Sequence, residues 1–156
     1  MLFLVFSLGN NRYAVAASEV VEVLPLVNWK SLPGAPPGVA GIMNYRSDPM
    51  PLLDLSELAL GTPCRKWMST RIVVIDYPAK DTSRTLGLLA EGVTGTIRRH
   101  EEDFMPPGLT TANAPYLGPI ANTAEGPVQQ IDVAALLPEQ IRNGLFVDGS
   151  ESRHGL

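Results

Sequence analysis

Gly41-Ile-Met-Asn-Tyr-Arg46-Ser-Asp-Pro-Met-Pro51-Leu-Leu-Asp54-Leu-Ser-Glu-Leu58 reads as a strand, a turn, a second strand and the start of a helix. Residues 41 to 45 put Ile42 and Asn44 on one face of a strand and Met43 and Tyr45 on the other. Ser47-Asp48-Pro49 has the composition of a turn, and Met50 to Leu55 is a short apolar strand. Asp54 stands three residues before Glu57. At that spacing one carboxylate accepts a free N–H of the first helical turn while the other reaches back. Arg46 closes the first strand beside the turn, where a guanidinium meets solvent or a nearby carboxylate.

Upstream, Leu2 to Leu8 and Tyr13 to Ala17 form a hairpin across Gly9-Asn10-Asn11. Ala17 to Leu24 can begin as a helical turn capped by Ser18 and finish as a strand, because its apolar spacing satisfies both periods, and the sequence leaves the choice open. Leu32-Pro-Gly-Ala-Pro-Pro-Gly38 is a loop, because its prolines remove donors and fix extended or turn backbone. Downstream, Arg71-Ile-Val-Val-Ile-Asp76 carries an apolar run suited to a strand buried on both faces. Pro78 to Thr85 reads as a polar turn and Leu86 to Ala90 as a strand. Glu91 to Ile97 reads as strand and turn, and Met105-Pro-Pro-Gly108 as a second proline loop.

Set side by side, the halves echo one another. Phe3-Leu-Val-Phe6 answers Ile72-Val-Val-Ile75, Val20 answers Val93, and Pro33 answers Pro106. Gly41 then answers Gly118, Asp54 answers Asp132 and Leu58 answers Leu136, in unbroken order. Residues 116 to 137 are therefore expected to be a second hairpin and helical turn. The expected fold class is all-β: two small SH3-like five-stranded barrels on a shared hydrophobic core, with short helical turns. One domain is expected over residues 1–141, with pseudo-repeat halves near 1–68 and 69–141. Residues 142–156 are expected to be a flexible tail.

Composition narrows the function classes. With 156 residues and 45% hydrophobic content the chain can bury a core of its own. Twelve basic against 16 acidic residues give a net charge of −4, which weighs against nucleic acid or an anionic membrane as the main partner. The ten aromatic residues are scattered rather than interleaved with a basic stripe. The single Cys64 excludes an internal disulfide framework and suits a reducing, cytoplasmic compartment. The apolar N-terminus is too short to span a bilayer and runs into a turn.

Catalytic chemistry finds little purchase. Asp54 and Asp132 invite a two-lobe carboxylate dyad, but neither is followed by the small Ser/Thr-Gly turn that would bring them together, and helix capping accounts for both. His100 and His154 lie far from any triad or metal spacing, and Cys64 beside Arg65 and Lys66 stands alone. No Gly-rich phosphate loop occurs. The expectation is therefore no enzyme, no metal and no cofactor. Arg46 and Glu22 remain, either as ordinary surface charges or as part of a binding face, where Arg is enriched.

These residues resemble the CheW-like domain family of bacterial chemosensory coupling modules. The resemblance is carried by the opening hairpin from Phe3 to Val15 and by the apolar-x-Glu-apolar segment Val20-Val-Glu22-Val23. Its most specific part is the proline loop followed by Gly41-Ile-Met-Asn44-Tyr-Arg46 and Pro51-Leu-Leu-Asp54-Leu55, with Tyr116-Leu-Gly118 through Ile131-Asp132-Val133 as the C-terminal counterpart. It implies a non-catalytic, cytoplasmic adaptor that bridges chemoreceptor cytoplasmic tips and the regulatory domain of a CheA-type histidine kinase. It also implies that Arg46 and Glu22 stand at positions associated with receptor coupling, with Val20 on the same patch. The sequence departs from the pattern at Ser47, where glycine is usual, at Pro119 and at Gln129-Gln130. Two alternatives stay open: a scaffold of a chemosensory pathway not serving motility, and a β-barrel module for nucleic acid or a small ligand.

Overall fold

Arg71 to Asp76 explains the architecture best, because Ile72, Val73, Val74 and Ile75 are all at most 2% exposed. Successive side chains of a strand point to opposite faces, so such a run needs apolar material on both sides. In the computed structural model, which describes residues 1–79, 82–109 and 114–137, both sides are filled. Val73 and Ile75 face a large central cluster. Ile72 and Val74 face a smaller one, with Met43, Met50, Leu52 and Leu89.

Nine strands run through the described residues: β1 (Leu2–Leu8), β2 (Asn11–Ala16), β3 (Val20–Pro25), β4 (Val39–Tyr45), β5 (Asp48–Asp54), β6 (Arg71–Ala79), β7 (Thr82–Arg98), β8 (Leu117–Thr123) and β9 (Gly126–Ile131). One short helix, α1 (Leu55–Leu60), follows β5, and 3₁₀ turns occupy Ala17–Glu19, Glu101–Asp103 and Val133–Ala135. The ambiguous segment after Ala16 thus takes both of its forms in sequence, turn then strand. Ser18 does not cap it, and the turn has no side-chain cap.

The strands form two SH3-like barrels. The first runs β3-β6-β7-β5-β4 and the second β7-β1-β2-β9-β8. All neighbours are antiparallel except β5 with β7 and β2 with β9. In each barrel the chain leaving one outer strand returns to the other through a single backbone pair, Lys30 with Ile42 in the first and Met105 with Ile120 in the second. The echo seen in the sequence is a register equivalence: Glu22 pairs with Val74 as Gly95 pairs with Val5, and Met43 with Met50 as Ala121 with Val128. The halves near 1–68 and 69–141 are nevertheless interleaved, because β3 joins the barrel of β6 and the rear of β7 joins the barrel of β1.

Two expected turns are placed differently. The segment from Pro78 to Thr85 is not a long polar turn; β6 and β7 stay paired to Ala79 and Thr82. The expected break between Leu86–Ala90 and Glu91–Ile97 is instead a kink within β7 at Gly92, whose φ of 61° favours glycine. There β7 exchanges β6 for β1 as its partner, with a bulge opposite Val5 and Ser7. The shared cluster, which includes Leu4, Phe6, Val15, Leu53, Val73 and Tyr77, lies between the barrels. Each of its fully buried side chains contributes about 1.5–3 kcal/mol. The segment 142–156 lies outside the described residues.

Candidate functional site

The seam between the two outer strands of the first barrel is held differently at its two ends. At one end Lys30 and Ile42 exchange both backbone hydrogen bonds, at 2.9 and 2.8 Å. This requires Gly41, since a Cβ there would lie 2.1 Å from the Lys30 carbonyl oxygen. At the other end three side chains close the gap. The Tyr45 hydroxyl donates to Glu22 Oε2 at 2.8 Å, Arg46 Nη2 stands 3.5 Å from the same oxygen, and the Arg46 guanidinium lies 5.0 Å from the centre of the Tyr45 ring.

Local backbone sets this geometry. The turn between β4 and β5 is Arg46-Ser47, one step earlier than the expected Ser47-Asp48-Pro49, and Tyr45 pairs directly with Asp48. Both turn residues are left-handed, with φ of 49° and 70°. Such a two-residue turn matches the twist of a hairpin. Arg46 therefore stands in the tip itself rather than at the strand end. Its side chain is 67% exposed and that of Glu22 38% exposed, whereas Tyr45 is buried beneath them.

Burial, and next the bond to Glu22, raises the Tyr45 hydroxyl above its ordinary pKa, while Arg46 acts in the opposite sense. The phenol stays protonated and remains a donor. Glu22 thereby receives a neutral and a charged donor on one oxygen, and the guanidinium keeps N–H groups facing solvent for a partner's carboxylate or carbonyl. Exposed pairs of this kind contribute about 0–1 kcal/mol to stability, so the arrangement does more to orient Arg46 than to hold the fold.

Of the residues singled out from sequence, Glu22 and Arg46 are brought together. Val20 lies on the same strand across a bulge, half-buried against the central cluster, while Val21 and Val23 point outward. Tyr45 was legible only as a member of the buried Met43 face. Its role as the link between Glu22 and Arg46 depends on β3 meeting β4, a pairing no local pattern encodes.

The other candidate groups sit in structural positions. Asp54 is 4% exposed; it caps α1 through the Glu57 N–H at 3.2 Å and also accepts from the Cys64 N–H at 2.9 Å. Asp132 accepts from the Ala134 N–H at 3.1 Å and is exposed. The Cys64 thiol is pushed up to about 12 by burial and by Asp54, opposite to an activated thiol. Among the described residues no group of His, Cys, Asp and Glu is clustered to hold a metal ion, and no helix is long and apolar enough to cross a membrane.

Comparison with known proteins agrees with this architecture. The chain is 30% identical over 107 residues to Protein FrzA of Myxococcus xanthus and 26% identical over 105 residues to Chemotaxis protein CheW of Helicobacter pylori. These alignments cover 69% and 67% of the chain but only 64% and 61% of those relatives. A 22% match to Chemotaxis protein CheW of Klebsiella aerogenes covers 88% of the chain and 82% of that protein. The crystal structure of scaffolding protein TtCheW from Thermoanaerobacter tengcongensis superposes with a TM-score of 0.78 at 25% identity, over 90% of this chain and 89% of that one. The family model described as the CheW-like domain matches residues 2–140. On this match, with the two-barrel architecture to support it, the chain belongs to the CheW-like domain family.

Proposed function

We propose that this chain is a non-catalytic cytoplasmic adaptor that couples chemoreceptor cytoplasmic tips to a CheA-type histidine kinase, with Arg46, Glu22 and Val20 at the receptor-facing patch. The observation that carries the reading is the Tyr45–Glu22–Arg46 clasp, which holds a solvent-facing guanidinium at a hairpin tip. A multi-donor fork held in one orientation loses little entropy on meeting a carboxylate or a row of helix carbonyls. Val20 supports the site from below by anchoring β3 to the core. The kinase regulatory domain would engage barrel ends through apolar anchors over the modest area of a reversible assembly.

The test measures receptor association, in arrays or nanodiscs, alongside kinase binding for wild type, Arg46→Glu and Glu22→Ala. The expected result is receptor binding weakened about tenfold for each 1.4 kcal/mol lost, with kinase binding unchanged and the fold retained at a cost of about 1 kcal/mol. Equal receptor binding by all three proteins would remove Arg46 and Glu22 from the site.

A further inference from the structure

Trp29 lies at the Lys30 end of the seam, and Lys66, which reaches its ring, is followed directly by the second tryptophan, Trp67. Trp29 is half-buried, with Lys66 Nζ 5.0 Å from its ring centre. Trp67 is 52% exposed and carries the Arg65 guanidinium 3.8 Å from its own ring. Around them Val27 is 42% and Met68 94% exposed. A cavity of about 260 Å³ opens here, lined by Leu26, Val27, Asn28, Trp29, Ser31 and Lys66. Val27 and Trp29 line the cavity, and Trp67 and Met68 follow its Lys66 directly in the chain; exposed apolar side chains close together mark an interaction surface more often than scattered ones do.

The two chain segments that supply it are one-sided in their own charge. Although the chain carries a net charge of −4, residues 23–47 and 58–75 contain no Asp or Glu, and they hold Lys30, Arg46, Arg65, Lys66 and Arg71. Within the face Arg65 is balanced by the buried Glu91 at 3.2 Å, and Arg71 donates to the Met68 and Thr70 carbonyls. Among the described residues no carboxylate pairs with Lys30 or Lys66. A polyanion fits poorly. Lys66 and Arg65 already cover one face of each indole, leaving less platform for base stacking, and two unpaired cations neutralise few phosphates.

We propose that this face docks a short acidic peptide segment of a partner protein. One aliphatic or aromatic side chain would enter the cavity beside Val27, Trp29 and Lys66, and a flanking carboxylate would meet Lys66. Opposite charge steers and registers such a segment, while the apolar anchor and the indoles supply the affinity. The face is separate from the Arg46 clasp at the other end of the seam, so it stands whether or not the receptor reading does.

The test selects a phage-displayed library of short random peptides on the full chain, then measures the enriched peptides by anisotropy against wild type, Lys66→Glu, Trp67→Ala, Met68→Asp and Arg46→Glu. The expected result is a consensus of Asp or Glu flanking an aliphatic or aromatic anchor. Its affinity should fall by about tenfold or more in the Lys66 and Trp67 variants, and in Met68→Asp. Arg46→Glu should bind as wild type does. Lys66 and Met68 are exposed, so their variants keep the test valid if Trp67→Ala does not fold. No enrichment, a basic consensus, indifference to these three substitutions, or tighter binding of a thymidine oligonucleotide than of the peptides would each overturn the proposal.

Discussion

The two barrels share a ladder and differ in how they are closed. Where the first has Glu22, Tyr45 and the Arg46-Ser47 turn, the equivalent register positions of the second hold Gly95, Thr123 and Ala124-Glu125. In place of a clasp the second barrel has a cleft of about 250 Å³, whose walls include Val5, Ser7, Arg12, Thr94, Gly95 and Glu125. Arg12 crosses there to Thr123 at 2.7 Å and to Glu125 at 3.7 Å. The interiors differ in the same sense. Met43, Tyr45, Met50 and Leu52 fill the first, whereas Ala14, Ala121, Val5 and Val128 line the second around a Phe3–Phe104 pair 5.0 Å apart. A repeated backbone thus carries two unlike surfaces, and the unlikeness resides in a few side chains at its seams.

The largest effect should separate the glycines that answer one another. Gly41→Val drives a side chain into the Lys30 carbonyl and is expected to cost about 3 kcal/mol in denaturant unfolding. At Gly118 the nearest atom is 3.1 Å away, on Gln130, and the same substitution should cost about 1 kcal/mol. Equal losses would mean that the two seams are equally tight.

The capping aspartates come next. Asp54 is buried and serves the N–H groups of Glu57 and Cys64, so Asp54→Ala should cost about 2 kcal/mol or more. Asp132 is exposed and serves one, and Asp132→Ala should stay near 0.5–1 kcal/mol. A reversed order in urea titrations would show that the burial of Asp54 costs as much as its bonds return.

A smaller effect, of opposite sign, belongs to the turns. Ser47→Gly relieves a left-handed serine and should stabilise by about 1 kcal/mol in thermal unfolding. Glu125→Gly should bring no such gain, because the second hairpin places its positive φ on Gly126.

The last effect is confined to alkali, where it is a change of slope. The folded-state pKa of Tyr45 is raised above 10.0 and that of Cys64 from 9.0 to about 12, so both groups favour folding while protonated. Their contribution is complete below those ordinary values and disappears as pH rises through the folded-state ones. Wild type should therefore lose stability from about pH 9 upward. Cys64→Ala should flatten the lower part of that decline and Tyr45→Phe the part above about pH 10. Parallel curves for all three proteins would assign the decline to other groups, such as Tyr13 and Tyr116, which are raised as well.

What could be read from the chain alone follows the range of the interactions. The hairpins, the proline loop, the Asp54 cap and the doubly buried run at Ile72 to Ile75 are written in neighbours and periods, and they were legible. The echo predicted equivalent strands but could not say which strands pair, because an offset between Val20 and Val93 is the same whether each stays with its own half or crosses over. The Glu22–Arg46 meeting was accessible only through family resemblance. Tyr45 was missed because its partner arrives from a strand about twenty residues away. The shift of the turn onto Arg46 was hidden for another reason: Arg and Ser carry no preference for left-handed backbone, and the rest of the hairpin imposes it.

The exchange of strands between the halves has a consequence for how the protein is made. The first barrel contains β3, β4 and β5 but also β6 and the front of β7; the second opens with β1 and β2 yet needs the rear of β7, β8 and β9. Neither barrel can close during synthesis on its own half of the message, and the long strand β7 is the step both await. Until it emerges from the ribosome, β1–β2 and β4–β5 are hairpins with unpaired edges, the form of chain most exposed to wrong partners. A split of the gene between α1 and β6 would accordingly yield one fragment holding β3, β4 and β5 of the first barrel beside β1 and β2 of the second, and another holding the rear of β7, β8 and β9 of the second beside β6 and the front of β7 of the first. Such fragments would reach the native fold only by pairing those strands on association.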